Sequence, residues 1–169
     1  LDQMIGGRGY DFVIDAIDHV RSKAALIAYC RDHAIPMITI GSAGGQVDPT
    51  RIEIRDLSKT EQEPMLKQVR KKLRNEYGFP RSPKTKFNVD AVFSMEPLTF
   101  PDEGETCDIE EGAAGVTGLN CAGFGSSMVV TATFGMFAAG HLLRKLAADA
   151  NGNNDQQEAA VQLDAAELS

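Results

Sequence analysis

The stretch 10–45, Y-D-F-V-I-D-A-I-D-H-V-R-S-K-A-A-L-I-A-Y-C-R-D-H-A-I-P-M-I-T-I-G-S-A-G-G, constrains the fold more than any other part of this chain. Residues 12–17 form an apolar run broken by Asp15, short enough for a strand covered on both faces. Ser22 fits an N-cap, and Ala24, Ala25, Leu26, Ile27, Ala28 and Tyr29 after it are mostly good helix formers. Pro36 ends the connection, and residues 37–40 form a second apolar run. Together these predict a βαβ unit with a right-handed crossover, and hence an α/β fold. Ligands of open α/β sheets gather at the carboxyl ends of the strands. Asp18 after the first strand and the loop Gly41-Ser42-Ala43-Gly44-Gly45 after the second are therefore expected on one rim.

A chain of 169 residues with 43% hydrophobic content can bury a proper core. Residues 1–9 hold charge and three glycines without an apolar signal core, and there is no starting Met. This reads as a piece of a longer protein. Cys30, Cys107 and Cys121 have no spacing for a zinc site or a disulfide framework, so no zinc and a reducing, cytoplasmic setting are expected.

The net charge of -7 conceals a division: residues 59–86 hold nine of the 17 basic residues and only three acids. Within that segment residues 61–75 read as a helix with Met65, Val69 and Leu73 as its apolar stripe. Lys67, Arg70, Lys71, Lys72 and Arg74 take the other faces, either as a solvated surface or as a phosphate-contacting patch for RNA. Residues 77–88, with two prolines and a glycine, read as a loop, and 89–95 as a further strand stopped by Pro97. Residues 101–120 carry six acids and no basic residue, without calcium-loop spacing, and read as a solvated crossover loop.

Residues 122–143 contain no Asp, Glu, Lys or Arg over 22 positions. Their glycines, serines and threonines favour a long apolar helix buried in protein, with membrane association as the alternative. Residues 1–148 are read as one domain and 149–169 as an acidic polar tail.

Five segments carry a resemblance, in order and at natural spacing: V-I-D-A-I-D-H-V-R-S-K-A-A-L-I-A-Y-C-R, I-P-M-I-T-I-G-S-A-G-G-Q-V-D-P-T, D-L-S-K-T-E-Q-E-P, D-A-V-F-S-M-E-P and N-C-A-G-F-G-S-S-M-V-V-T-A-T-F-G. Over residues 10–146 the chain resembles the C-terminal part of the ubiquitin-activating-type (E1-like) adenylating family, in its tRNA threonylcarbamoyladenosine dehydratase branch. The resemblance implies a Rossmann-like adenylation domain that uses ATP and Mg2+ to activate a carboxylate on tRNA, which then closes into a ring. It also implies a homodimer and a link to a cysteine desulfurase system. The remaining alternatives are activation of a sulfur-carrier or ubiquitin-like protein, and a non-catalytic dimer- or RNA-binding module.

By the same resemblance Asp18 matches the aspartate that meets the ATP-bound metal. Lys23, on the first helical turn, either faces nucleotide or pairs with an acid, and His19 is a weaker candidate. The loop with Gly41, Gly44 and Gly45 lets backbone approach the reacting carboxylate. Lys67, Arg70, Lys71 and Arg74 are the tRNA-binding candidates. Cys121, ahead of the long helix, is a candidate reactive thiol beside the plainer reading of an inert one, and Cys30 is expected in the core. The family's phosphate loop and triphosphate-binding cations match nothing here, so the 169-residue chain is expected to be inactive alone.

Overall fold

The computed structural model describes residues 1–98 and 125–167, with side chains as far as residue 151. The chain divides into two compact units, Leu1–Ala138 and Ala139–Ser169.

In the first unit β1 (Val13–Asp15), α1 (Val20–Asp32) and β2 (Met37–Ile40) form the expected strand–helix–strand unit, with the two strands parallel. β3 (Ile52–Asp56), α2 (Pro64–Glu76) and β4 (Asp90–Ser94) follow. The sheet order is β1-β2-β4-β3; β4 pairs parallel with β2 and antiparallel with β3. The fold is mixed α/β.

Side-chain alternation along the central strands builds two cores. Ala91 and Phe93 of β4 face one side, with Ala24 and Ile27 of α1 and Leu66, Val69 and Leu73 of α2. Val92 faces the other, with Ile38, Ile52 and Val130, Phe134 and Ala138 of the last helix. The stripe of Met65, Val69 and Leu73 expected on α2 is buried, with Leu66 added beside it. Glu63 caps α2, and Pro64 occupies its first turn, where a missing N–H costs nothing.

Four sequence expectations need correction. β1 is shorter than the apolar run and lies at the sheet's edge among the described residues; Ile14 is 41% exposed, so the strand is not covered on both faces. The N-cap of α1 is His19 rather than Ser22: its Nδ1 accepts the Ser22 N–H at 3.3 Å and lies 2.9 Å from the Ser22 hydroxyl. β3 was not expected, although Ile52-Glu53-Ile54-Arg55 alternates as a half-buried strand should.

The last correction concerns α3 (Met128–Glu167), which starts later than expected and continues through the segment read as a polar tail. It is not buried all round. In the first unit only Val130, Phe134 and Ala138 are buried, while Met128 is 80% and Met136 74% exposed. One stripe packs into the second core, while the large apolar side chains Met128, Val129 and Met136 stay outside it. No helix of the described residues is long and apolar enough to cross a membrane. The acidic segment 101–120 lies outside the described residues.

Candidate functional site

Parallel pairing of β1, β2 and β4 brings their carboxyl ends to one rim, with Asp15 beside Thr39 and Thr39 beside Ala91. Residues 16–19, 41–45 and 95–96 leave the sheet there. Asp18 and the glycine loop are thus on the same rim. Asp18 is exposed in the turn between β1 and α1, three residues past the strand end where the sequence reading put it.

The strand end belongs to Asp15, which is buried and paired. Its Oδ2 accepts from the Lys23 ammonium at 2.9 Å and from the Thr39 hydroxyl at 2.7 Å. Its Oδ1 accepts the Ile17 N–H at 2.9 Å, which fixes the first bend of the turn carrying Asp18. Lys23 also donates to Thr39 Oγ1 at 3.1 Å and to the Ile40 carbonyl at 2.9 Å. All three ammonium hydrogens are therefore matched by protein oxygens. Burial pushes the lysine down from its ordinary value, and Asp15 pulls it back. Of the two roles left open by the sequence, Lys23 takes pairing with an acid.

A second buried carboxylate holds the glycine loop. Glu63 accepts the Ser42 N–H at 2.9 Å through Oε1, and Oε2 caps α2 at the Leu66 N–H. Burial pushes its carboxyl up, against the hydrogen bonds from Leu66 and Ser42. A Cβ at Gly41 would lie 3.1 Å from Glu63 Cγ and 3.3 Å from Leu66 Cδ1, so loop and helix meet this closely only because residue 41 is glycine. Gly45 has φ of +72°, and its N–H donates to the Gly125 carbonyl at 3.1 Å. Gly44 forms an isolated bridge with Ser126. On the far side of the loop Glu96 accepts the N–H groups of Val47 and Asp48, both at 2.9 Å.

The basic residues of α2 separate into two kinds. Lys67 and Lys71 are exposed. Arg70 is half-buried, donates to the Thr60 hydroxyl, and is pushed down by burial. Arg74 lies 5.0 Å over the Phe87 ring and donates to the Pro80 carbonyl at 3.2 Å. A cleft of about 510 Å³ runs between Glu63, Lys67 and Arg70 and the chain at Pro97 and Leu98, just past β4. A larger one, about 630 Å³, is lined by Pro36, Met37, Asn88 and Val89 at the amino ends of the strands, away from the rim.

Cys30 is in the core, where burial pushes its thiol up. Cys107 and Cys121 lie outside the described residues. Among the described residues no three His, Cys, Asp or Glu side chains are grouped to hold a metal ion.

Sequence reasoning missed Asp15, Thr39, Glu63 and Glu96. Asp15 carried a usable signal: a charge inside an apolar strand must find a partner, and Lys23 is the nearest lysine after it. Glu63, directly before Pro64, carried the mark of a helix start.

The fold and rim define a mixed α/β domain whose ligand edge is the carboxyl end of a mainly parallel sheet. Known proteins narrow this further. No protein-family model matches the chain. The tRNA threonylcarbamoyladenosine dehydratase of Haemophilus influenzae is 54% identical over 140 residues, which are 82% of this chain and 51% of that protein. The dehydratase of the same name from Escherichia coli is 49% identical over 144 residues, 84% of this chain and 54% of that protein. The crystal structure of E. coli tRNA N6-threonylcarbamoyladenosine dehydratase in complex with ATP matches with a TM-score of 0.72 at 44% identity. That match covers 88% of this chain and 52% of the other. The AMP complex matches with a TM-score of 0.73. By sequence and fold, then, the chain is similar to the tRNA threonylcarbamoyladenosine dehydratases, and the resemblance read from its residues is borne out. It spans about half the length of the curated relatives it matches.

Proposed function

We propose that the protein to which this chain corresponds, at the full length of its relatives, carries out ATP-dependent cyclising dehydration of threonylcarbamoyladenosine in tRNA. The observation that carries this reading is the rim. An exposed aspartate in the turn after β1 and a glycine loop after β2 leave adjacent parallel strands on one rim, in a chain 54% identical over 140 residues to a protein of that activity's name.

In this reading the carboxylate of the modified adenosine lies against the backbone of the loop 41–45. One carboxylate oxygen attacks the α-phosphorus of ATP, and pyrophosphate leaves. A nucleophile of the same modification then attacks the activated carbonyl, closes the ring and expels AMP, which carries away the carboxylate oxygen. Asp18 supplies a negative oxygen toward a metal carried by the phosphates. An exposed carboxylate on the rim fits Mg2+, which takes one or two carboxylates plus phosphate oxygens and water rather than a protein cage. Bound there, the ion offsets phosphate charge during the attack. The Asp15–Lys23–Thr39 network holds the Asp18 turn, and Glu63 holds the loop, so neither has to be ordered when substrate arrives.

The partners belong to the same proposal. Lys67 and Lys71 support tRNA contact in a cytoplasmic setting, since they are cations not committed to the core. The exposed Met128, Val129 and Met136 support a homodimer contact along α3. A cysteine desulfurase partner rests on the resemblance alone.

The test is Asp18→Asn in the full-length protein, read by ATP–pyrophosphate exchange. Asparagine keeps an oxygen and caps a helix about as well as aspartate, so only the charge is removed. The expected loss is about 3 kcal/mol of transition-state stabilisation, a hundredfold or more in rate, with tRNA binding retained. Exchange within about threefold of the unaltered protein would take Asp18 out of the active site.

A further inference from the structure

Gln46 follows the glycine loop on the ligand rim, and its carboxamide makes no hydrogen bond to the fold among the described residues. The residue is 1% exposed, yet neither its Nε2 nor its Oε1 has a hydrogen-bond partner among the described residues. Burying a carboxamide with both ends unpaired is costly, and native chains keep few such groups without a reason. The surrounding backbone is meanwhile well tied: Gly45 to Gly125, and Val47 and Asp48 to Glu96. The segment is therefore held at both sides of a side chain that has nothing to hold.

The chemistry of the two unpaired atoms selects the ligand. Nε2 can only donate and Oε1 can only accept. A phosphate or carboxylate would pair with the first and leave the second orphaned, and a cation would do the reverse. A planar group that presents a carbonyl and an N–H along one edge satisfies both at once. A ureido linkage with one N–H syn to its carbonyl has that edge; a trans peptide bond does not, because its carbonyl and N–H point to opposite sides. We infer that Gln46 reads the carbamoyl group of the substrate, its Nε2 donating to the carbamoyl oxygen and its Oε1 accepting a carbamoyl N–H. This rests on the function proposed above, in which the carboxylate next to that carbamoyl group lies on the glycine loop. The loop's backbone then positions the reacting end, and Gln46 tells a carbamoylated adenosine from a bare one.

The experiment compares the full-length protein with its Gln46→Met variant, which keeps length and shape and removes both polar atoms. Two measurements are made: affinity for a tRNA bearing threonylcarbamoyladenosine against the same tRNA with unmodified adenosine, and the melting temperature. The unaltered protein is expected to prefer the modified tRNA about tenfold, as two hydrogen bonds to a ligand would give. Gln46→Met should bring that preference below about twofold while melting at the same or a higher temperature. A structural glutamine behaves oppositely, since its loss lowers the melting temperature and leaves the preference alone.

A preference retained in the variant, a preference missing from the unaltered protein, or a variant melting several degrees lower would each overturn the assignment. So would finding that the unaltered protein instead selects a glycine-terminated peptide through Gln46, which would give the site to a protein partner. Cyclisation by the same protein, measured alongside, keeps the two ideas apart. If cyclisation persists while Gln46→Met does not change selectivity, only the reading of Gln46 fails.

Discussion

Lys23 on α1 and Lys67 on α2 are the same residue type in the first turns of two adjacent helices, and they do opposite things. Lys23 is fully buried and spends its donors on Asp15, Thr39 and the Ile40 carbonyl. Lys67 and its neighbour one turn on, Lys71, are exposed on the side of α2 away from the core. Where water is excluded a charge becomes part of the scaffold, because its removal strands a partner. Where water remains, an ion pair is worth little and the charge is available to a polyanion. A count of basic residues treats these alike.

The comparison can be broken most directly at Lys23. Lys23→Met leaves the Asp15 carboxylate buried without its cation and should cost about 3–5 kcal/mol in urea unfolding. Adding Asp15→Leu should restore most of it, since an apolar pair of similar volume replaces a buried ion pair at small cost. A single-variant loss under about 1 kcal/mol would show that the pair is wet and the contrast false.

Arg70 and Arg74 form the intermediate case. Each makes a half-buried contact, to Thr60 and to Phe87 with Pro80, so Arg70→Gln or Arg74→Gln should each lower stability by about 1 kcal/mol. Equilibrium unfolding that finds no change for either would put both arginines with the solvated lysines.

Lys67→Gln combined with Lys71→Gln should leave stability within about 0.5 kcal/mol and act on RNA instead. Titration of tRNA binding against salt should show a log–log slope shallower by about 2, with affinity reduced alike across sequences. An unchanged slope would return this face to plain solvent.

The smallest effect belongs to Glu63, the buried anion near these cations. Its folded-state value lies above the ordinary 4.5 because of burial. Between the two values the folded chain binds more protons than the unfolded one, so this group's contribution to stability is full below 4.5 and falls as pH rises through the window. Melting temperatures of Glu63→Gln should lack that fall, whatever the variant's overall stability; parallel pH profiles would contradict it.

Much of the fold was readable because its signals are local. The β1–α1–β2 unit declares itself in two apolar runs, a helical segment and Pro36, and α2 in a one-turn apolar stripe. β3 was missed because only Ile52 and Ile54 mark its alternation and its partner β4 lies far along the chain. The rim was readable at the level of loops, since parallel strands place their following loops together. Its wiring was readable only in part: the charge inside β1 signals a partner such as Lys23, but the contact of Glu63 with Ser42 depends on burial, which no spacing states. α3 misled because absence of charge does not say how many faces of a helix the chain itself covers: Met128, Val129 and Met136 are left exposed.

The strand order has a consequence for how the chain is made. β4 is the last of the four strands to leave the ribosome, yet it is the one that joins β2 to β3. Until residue 94 has emerged, β3 has no strand to pair with, and the β1–β2 pair keeps an open edge where β4 will sit. During synthesis the chain therefore carries unpaired edges that templated contact with a neighbouring nascent chain can exploit. Insertion of β4 closes them in one step, so the yield of folded protein should depend more on the speed of translation through residues 57–94 than on any other segment of the sheet.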